Sequence, residues 1–240
     1  MPLTPYGLKE WSLMTLGAVV LAVPCVYLHW WWPLGLIIVV WMALVSFFRD
    51  PIRSIPKNLK PGDMLSPADG VISAVERVDT HECVEAGKPA VIIRIFLSVL
   101  NVHVNRAPFD GEVTALRYCP GKFLNAQTAE SARVNECNFI TVRISSGETI
   151  GIRQVSGMIA RRIVCPLKVG DRLIRGKKFG MIKFGSTTEL ILPHPNDVEV
   201  FVKIGDKVRG GKTILASLAL TPASPQRILE TRTHATSVDR

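Results

Sequence analysis

The chain has 240 residues, of which 29 are Lys or Arg and 20 Asp or Glu, a balance of +9. That length allows one sizeable domain or two small ones, and the charge suits an anionic partner, either nucleic acid or a phospholipid surface. No glycine-rich phosphate loop, no HExxH and no Walker motif is present, which removes the commonest nucleotide and zinc-hydrolase chemistries.

The N-terminus decides between the two partners. Residues 13–48 contain no Asp, Glu, Lys or Arg. Within them Leu13–Leu28 and Leu34–Phe48 are strongly apolar, separated by His29-Trp30-Trp31-Trp32-Pro33. A single span needs ~20 apolar residues, and this run is longer, so two short spans or a hairpin dipping into one leaflet are expected. The tryptophans favour interfacial depth, and Pro33 is expected to break the helix between the halves. Arg49, Arg53, Lys57 and Lys60 follow, opposed only by Asp50. Basic flanks stay cytoplasmic, so residues 1–50 read as an anchor holding a domain on the cytoplasmic side of the cell membrane. Cys25, Cys83, Cys119, Cys137 and Cys165 form no CxxC and no metal-like cluster, which suits reduced thiols and no metal. Few aromatic residues lie outside the anchor, which argues against a nucleic-acid partner.

From Pro51 the chain reads as short strands between turn residues: Val71–Val78, Ala90–Leu97, Glu112–Tyr118, Phe139–Ile144 and Thr149–Val155. This predicts a mainly β domain over 51–217. Lys122–Val134 has the composition of a short helix, and residues 218–240 lack a strand pattern and read as a disordered tail. One internal echo occurs: residues 169–177 (VGDRLIRGK) and 204–212 (IGDKVRGGK) share the pattern apolar-Gly-Asp-x-apolar-x-x-Gly-Lys. Such turns are seen in lipoyl- and biotin-carrier-like sandwiches, so a pseudo-symmetric β-sandwich of that hybrid character is expected, with Gly185-Ser186-Thr187 between the two copies.

Few residues can carry chemistry. Taken singly, Asp69 in PADG is a turn aspartate, His103 a histidine beside a strand, and Arg161 and Arg162 a solvated pair. Gly185-Ser186 by itself is a tight connection between strands. Together, however, PADG (67–70), NVHVNRAP (101–108), GKFLNA (121–126), GMIARRIV (157–164) and FGST (184–187) occur in the order seen in phosphatidylserine decarboxylases. The chain resembles the short, single-domain form of that family from about Pro61 to about Gly211.

The resemblance implies a lyase that converts phosphatidylserine to phosphatidylethanolamine and CO2. Its cofactor would be a pyruvoyl group made from Ser186 by self-cleavage after Gly185, and no metal. The Ser186 hydroxyl would attack the Gly185 carbonyl, with His103 as base and Asp69 orienting the imidazole. The products are a chain of residues 1–185 and a chain of residues 186–240. The pyruvoyl ketone would then form a Schiff base with the substrate amine and act as electron sink. Arg161, Arg162 and Lys122 are the candidates for the lipid phosphate. Partners are thus phosphatidylserine and an anionic membrane surface, with a homo-oligomer left open. Two positions depart from the family pattern: Arg106 stands where longer members carry a second histidine, and Cys137 stands where the family has arginine after Asn-Glu. Two rival readings remain. One is a membrane-anchored lipoyl-like carrier or adaptor modified on Lys183; the other is a serine hydrolase using Ser186, His103 and Asp69, although Thr188 replaces the last glycine of a GxSxG elbow.

Overall fold

The computed structural model describes residues 2–84, 88–124, 130–157, 162–183 and 185–219. Two helices, α1 (Leu8–Tyr27) and α2 (Trp31–Ser46), form an antiparallel hairpin. At ~1.5 Å per residue α1 is ~30 Å long, about the thickness of a bilayer's hydrocarbon core. Among the described residues only α1, counted with the 3-10 turn at Pro5–Gly7, is long and apolar enough to cross a membrane by length and composition, and α2 is shorter. Both helices expose large apolar side chains all round, among them Leu13, Val20 and Val23 on α1 and Leu36 and Val39 on α2. One polar contact joins them: Trp41 Nε1 donates to Thr15 Oγ1 at 3.1 Å. Pro33 does not break the hairpin as expected; it sits in the first turn of α2, where a helix has no use for its missing N–H. The reversal is made by His29, which takes a positive φ of 59°.

Apart from one helical turn, the regular structure of the rest of the described chain is all strand. An eight-stranded antiparallel sheet runs in the order β13 (Lys207–Val208), β2 (Gly70–Val78), β3 (Ala90–Leu97), β11 (Ser186–Pro193), β7 (Thr149–Ser156), β6 (Cys137–Ile144), β5 (Gly111–Cys119), β9 (Arg172–Leu173). A three-stranded sheet joins β1 (Asp63–Leu65), β14 (Ile214–Leu218) and β12 (Val198–Val200); another joins β4 (Val104–Arg106), β10 (Lys178–Lys183) and β8 (Arg162–Val164). Of the helix expected within 122–134, the described residues show the single turn α3 (Ser131–Val134); residues 125–129 lie outside them. Of the segment 218–240 expected as a tail, Leu218 closes β14 and the Ala219 N–H bonds the Asp197 carbonyl at 2.9 Å; residues 220–240 lie outside the described ones.

Alternation puts Ile72, Ile93, Ile95, Ile140, Ile152 and Leu190 on one face of the large sheet, each essentially fully buried in the main core. At ~25 cal/mol per Å2 such a face is the dominant stabilising term. β11 lies at the centre and is buried at all eight positions. Its outward Glu189 is tolerated because two guanidiniums meet it, Arg94 at 2.7 Å and Arg153 at 3.3 Å.

The internal echo folds into two matched turns at opposite edges of this sheet. Gly170 and Gly205 have φ of 93° and 94°, and Asp171 and Asp206 each accept from the backbone N–H three residues earlier, at 2.8 and 2.9 Å. The resulting edge strands are β9 and β13.

Candidate active site at the start of the central strand

Ser186 is the first residue of β11, registered between Leu97 of β3 and Ser156 of β7. It is fully buried, and its Oγ has no hydrogen-bond partner among the described residues. A buried hydroxyl left unpaired costs ~1–3 kcal/mol, so a side chain held in this way is one whose role is not to stabilise the fold. Gly185 enters the strand at φ 69°, in the left-handed region. A Cβ there would meet nothing within 4 Å, so the requirement for glycine comes from the backbone and not from crowding. Gly185→Ala is therefore expected to fold with a loss of ~1–2 kcal/mol, read as a lower denaturation midpoint at unchanged m-value.

His103 precedes β4 and is wholly buried. Its Nε2 accepts from the Gly185 N–H at 3.2 Å, and its Nδ1 lies 3.0 Å from the Asn101 carbonyl. These contacts fix one tautomer: the proton sits on Nδ1, and Nε2 keeps its lone pair beside the residue that precedes Ser186. Burial pushes the imidazole down to about 4, against a smaller upward pull from the Asn101 carbonyl, so His103 is neutral near pH 7. One wall of its pocket is the anchor itself, because the Phe47 ring packs on the imidazole at 4.4 Å between centroids.

Asp69 is placed differently from the orienting role expected of it. Its carboxylate accepts both Arg53 nitrogens and the Gly210 N–H at 2.8 Å, and it makes no hydrogen bond to His103. The ring is oriented by Asn101, and Asp69 contributes only a field that favours the imidazolium. Lys122 is exposed; its backbone pairs with Asn135, whose side chain also grips the Leu124 backbone at 2.8 and 2.9 Å and the Ser156 carbonyl at 2.8 Å. Arg162 is exposed in β8, opposite Lys183. Arg161 and Phe184 lie outside the described residues. Among the described residues no group of His, Cys, Asp or Glu is arranged to hold a metal.

Reading of the sequence missed a chain of buried amides behind Ser186. Asn138 donates to Gln154 (3.1 Å), Gln154 to Asn105 (2.9 Å), and Asn105 to Thr188 Oγ1 (3.1 Å). The available signal was Gln154, a polar residue two places from Ile152 and therefore on the core face of its strand. Also missed was how the anchor docks. Lys183, two residues before Gly185 and 6% exposed, pairs with Glu10 of α1. Arg106 is 5% exposed; it reaches Asp50 at 3.1 Å and the carbonyls of Pro51 and Gly176 at 3.0 and 3.1 Å. Of the four basic residues after the anchor, Arg53 turns inward to Asp69 and Arg49 binds the Leu100 carbonyl.

The family model for phosphatidylserine decarboxylase matches residues 42–216, from the second half of α2 through β14. The chain belongs to the phosphatidylserine decarboxylase family. It is 44% identical over 219 residues to the phosphatidylserine decarboxylase proenzyme of Rhodopirellula baltica, covering 90% of this chain and 88% of that one. It is 43% identical over 204 residues to the corresponding proenzyme of Symbiobacterium thermophilum, covering 84% and 91%. With that of Cereibacter sphaeroides it shares 43% over 197 residues, covering 80% and 82%. Each of these relatives is named a decarboxylase and a proenzyme, so the family is one of enzymes, carboxy-lyases, whose members include proenzymes.

Proposed function

We propose that this chain is a self-cutting precursor of a phosphatidylserine decarboxylase, and that Ser186 is both the nucleophile of the cut and the source of the pyruvoyl group. One observation carries the reading: a buried hydroxyl, without a partner among the described residues, follows a glycine at φ 69° whose N–H rests on a neutral imidazole. His103 Nε2 takes the hydroxyl proton as Oγ attacks the Gly185 carbonyl, the C–N bond breaks, and an ester links residue 185 to the Ser186 oxygen. Loss of the α-proton of residue 186 expels the Gly185 carboxylate and leaves a dehydroalanine. This tautomerises to an imine, and water converts it to the ketone with release of ammonia.

The environment fits such a group, since Ser156, Leu97 and the amide chain through Thr188 enclose position 186 and exclude water. A pyruvoyl ketone there would condense with the substrate amine and accept the electrons left by CO2. A protonated His103 can return a proton to the substrate carbon, a role that its depressed pKa makes easy once the proton has been taken up. Asp69 holds Arg53 and the 210 turn, and acts on His103 through its field. Arg162 and Lys122 remain candidates for the lipid phosphate, together with Arg161. We place the hairpin in the membrane, with the strand domain on the cytoplasmic face. We also read the matched edge turns as the remnant of a hybrid sandwich of carrier-like ancestry. The carrier function itself has no support: Lys183 is buried in β10 and already paired with Glu10, so it cannot serve as a swinging arm.

Intact mass spectrometry on the purified chain beside Ser186→Ala tests the reading. The expected result is two fragments from the wild type, split before residue 186 with the small one blocked at its N-terminus, and one whole chain from the variant. A wild type that stays whole after long incubation with anionic lipid would refute self-cutting.

A further inference from the structure

A cleft of about 520 Å3 opens where the hairpin joins the strand domain. Pro2, Leu3, Asp50 and Pro51 form one side, and the turn Ile174–Lys178 forms the other. Neither Ser186 nor His103 lines it. The two chain ends that leave the hairpin are held together here, since Leu3 bridges Arg49 and the Asp50 N–H bonds the Pro2 carbonyl at 2.9 Å.

The charges at this cleft do not balance. Its walls carry Arg53, Arg106, Arg175, Lys177 and Lys178, and the carboxylates that act on them are four: Asp50, Asp69, Asp110 and the buried Asp63 behind Arg175. Five cations against four anions leave one positive charge uncompensated. Asp50 is shared by Arg106 at 3.1 Å and Lys178 at 2.6 Å, and Lys177 is exposed with no ion-pair partner among the described residues. The Arg175 guanidinium sits over Phe109, 3.9 Å from the ring centroid, and its Nε is 3.6 Å from Asp110, beyond hydrogen-bond length. Beside this excess charge stand exposed isoleucines, Ile52 at 92% and Ile174 at 56%. Excess cations next to bare aliphatic side chains, within a few residues of two apolar helix ends, match the chemistry at the surface of an anionic bilayer.

We propose that this cleft binds the phosphate of an anionic phospholipid headgroup, with Lys177 and Arg175 on the phosphate and Ile52 and Ile174 in the acyl boundary. It is a lipid contact separate from Ser186, which docks the domain against the membrane whether or not the chain has been cut. The assignment rests on the hairpin lying in a bilayer, and the test separates the two claims.

Full-length Ser186→Ala protein is partitioned onto vesicles of phosphatidylcholine alone and of phosphatidylcholine with phosphatidylglycerol, a headgroup without an amine. Partitioning onto the neutral vesicles reports the hairpin, and the anionic excess reports the cleft. Each basic residue at a bilayer surface contributes about 1 kcal/mol, which is roughly fivefold in partitioning. Lys177→Glu should therefore cut the anionic excess by about fivefold or more and leave neutral partitioning unchanged. Arg77→Glu, an equal charge change toward the far end of β2, should leave both unchanged. Equal losses in the two variants would reduce the effect to net charge and overturn the site, as would no loss in Lys177→Glu. Stabilisation of the wild type by millimolar inorganic phosphate, absent in Lys177→Glu, would make this a free-phosphate site and overturn the lipid assignment. Failure to bind neutral vesicles would remove the hairpin reading and the assignment that rests on it; binding to neutral vesicles with no anionic excess would remove the cleft assignment alone.

Discussion

His103→Gln is expected to slow the appearance of the two fragments by roughly 10²–10⁴-fold, the usual contribution of a positioned general base. Glutamine keeps a polar group near the Gly185 N–H but cannot take the serine proton. The pH profile makes the test specific. Because burial holds the imidazole at about 4, the base is in its working form at all pH values well above that. Cutting by the wild type should thus be flat through neutral pH and fall about tenfold per unit only below pH 4. Phe47→Ala opens the imidazole to water, and its acidic limb should move up toward the ordinary histidine value near 6.5; Phe47→Tyr should restore the low limb. The unfolded chain binds a proton at this histidine below ~6.5 that the native fold excludes until about 4, so native stability also falls as pH drops through that window. Rates are therefore compared where circular dichroism shows the chain folded. A wild-type limb between pH 6 and 7 would show that a group other than buried His103 takes the proton.

Arg106→His, which rebuilds the two-histidine spacing of longer relatives, should destabilise this chain by about 3 kcal/mol and should not accelerate cutting. Removing one partner of a buried ion pair costs ~3–5 kcal/mol, and the low end applies because Lys178 still meets Asp50. For a chain of this size that corresponds to a thermal midpoint lower by roughly 6–12 °C in detergent. The departure from the family pattern at 106 thus has a structural use here. The guanidinium joins β4 to the residues that leave the anchor, a task for which an imidazole lacks both reach and donors. An unchanged midpoint would mean that the hairpin base is held by Phe47, Phe48 and their apolar neighbours alone.

Much of this was legible beforehand for specific reasons. The strands showed because each alternates against a core on one side, and the hairpin showed because an uncharged stretch of that length has few other uses. His103 and Gly185-Ser186 were visible only as members of a spaced set, since singly each resembles an ordinary turn or core residue. Pro33 misled because a proline between two apolar runs reads as a break, whereas the first turn of a helix accepts it. Asp69 misled because a sequence does not show that Arg53 competes for it. The docking of Glu10 on Lys183 and of Phe47 on His103 joins residues 173 and 56 positions apart, and no local pattern encodes such a pairing.

The position of residue 186 at the head of β11 also bears on how the molecule is inherited by its own fragments. β11 is paired along eight residues with β3 and along six with β7, and the chain beyond it supplies β12, β13 and β14, which lie in two different sheets. A break before residue 186 therefore leaves the small fragment threaded through the interior, with no route of departure short of melting the sheet. Before the break, folding is a first-order event within one chain. After it, regaining a lost native state becomes a second-order encounter between two fragments, neither of which holds the complete eight-stranded sheet. The cut molecule would then persist by the slowness of its unfolding, and a denatured sample should recover with a yield that rises with protein concentration.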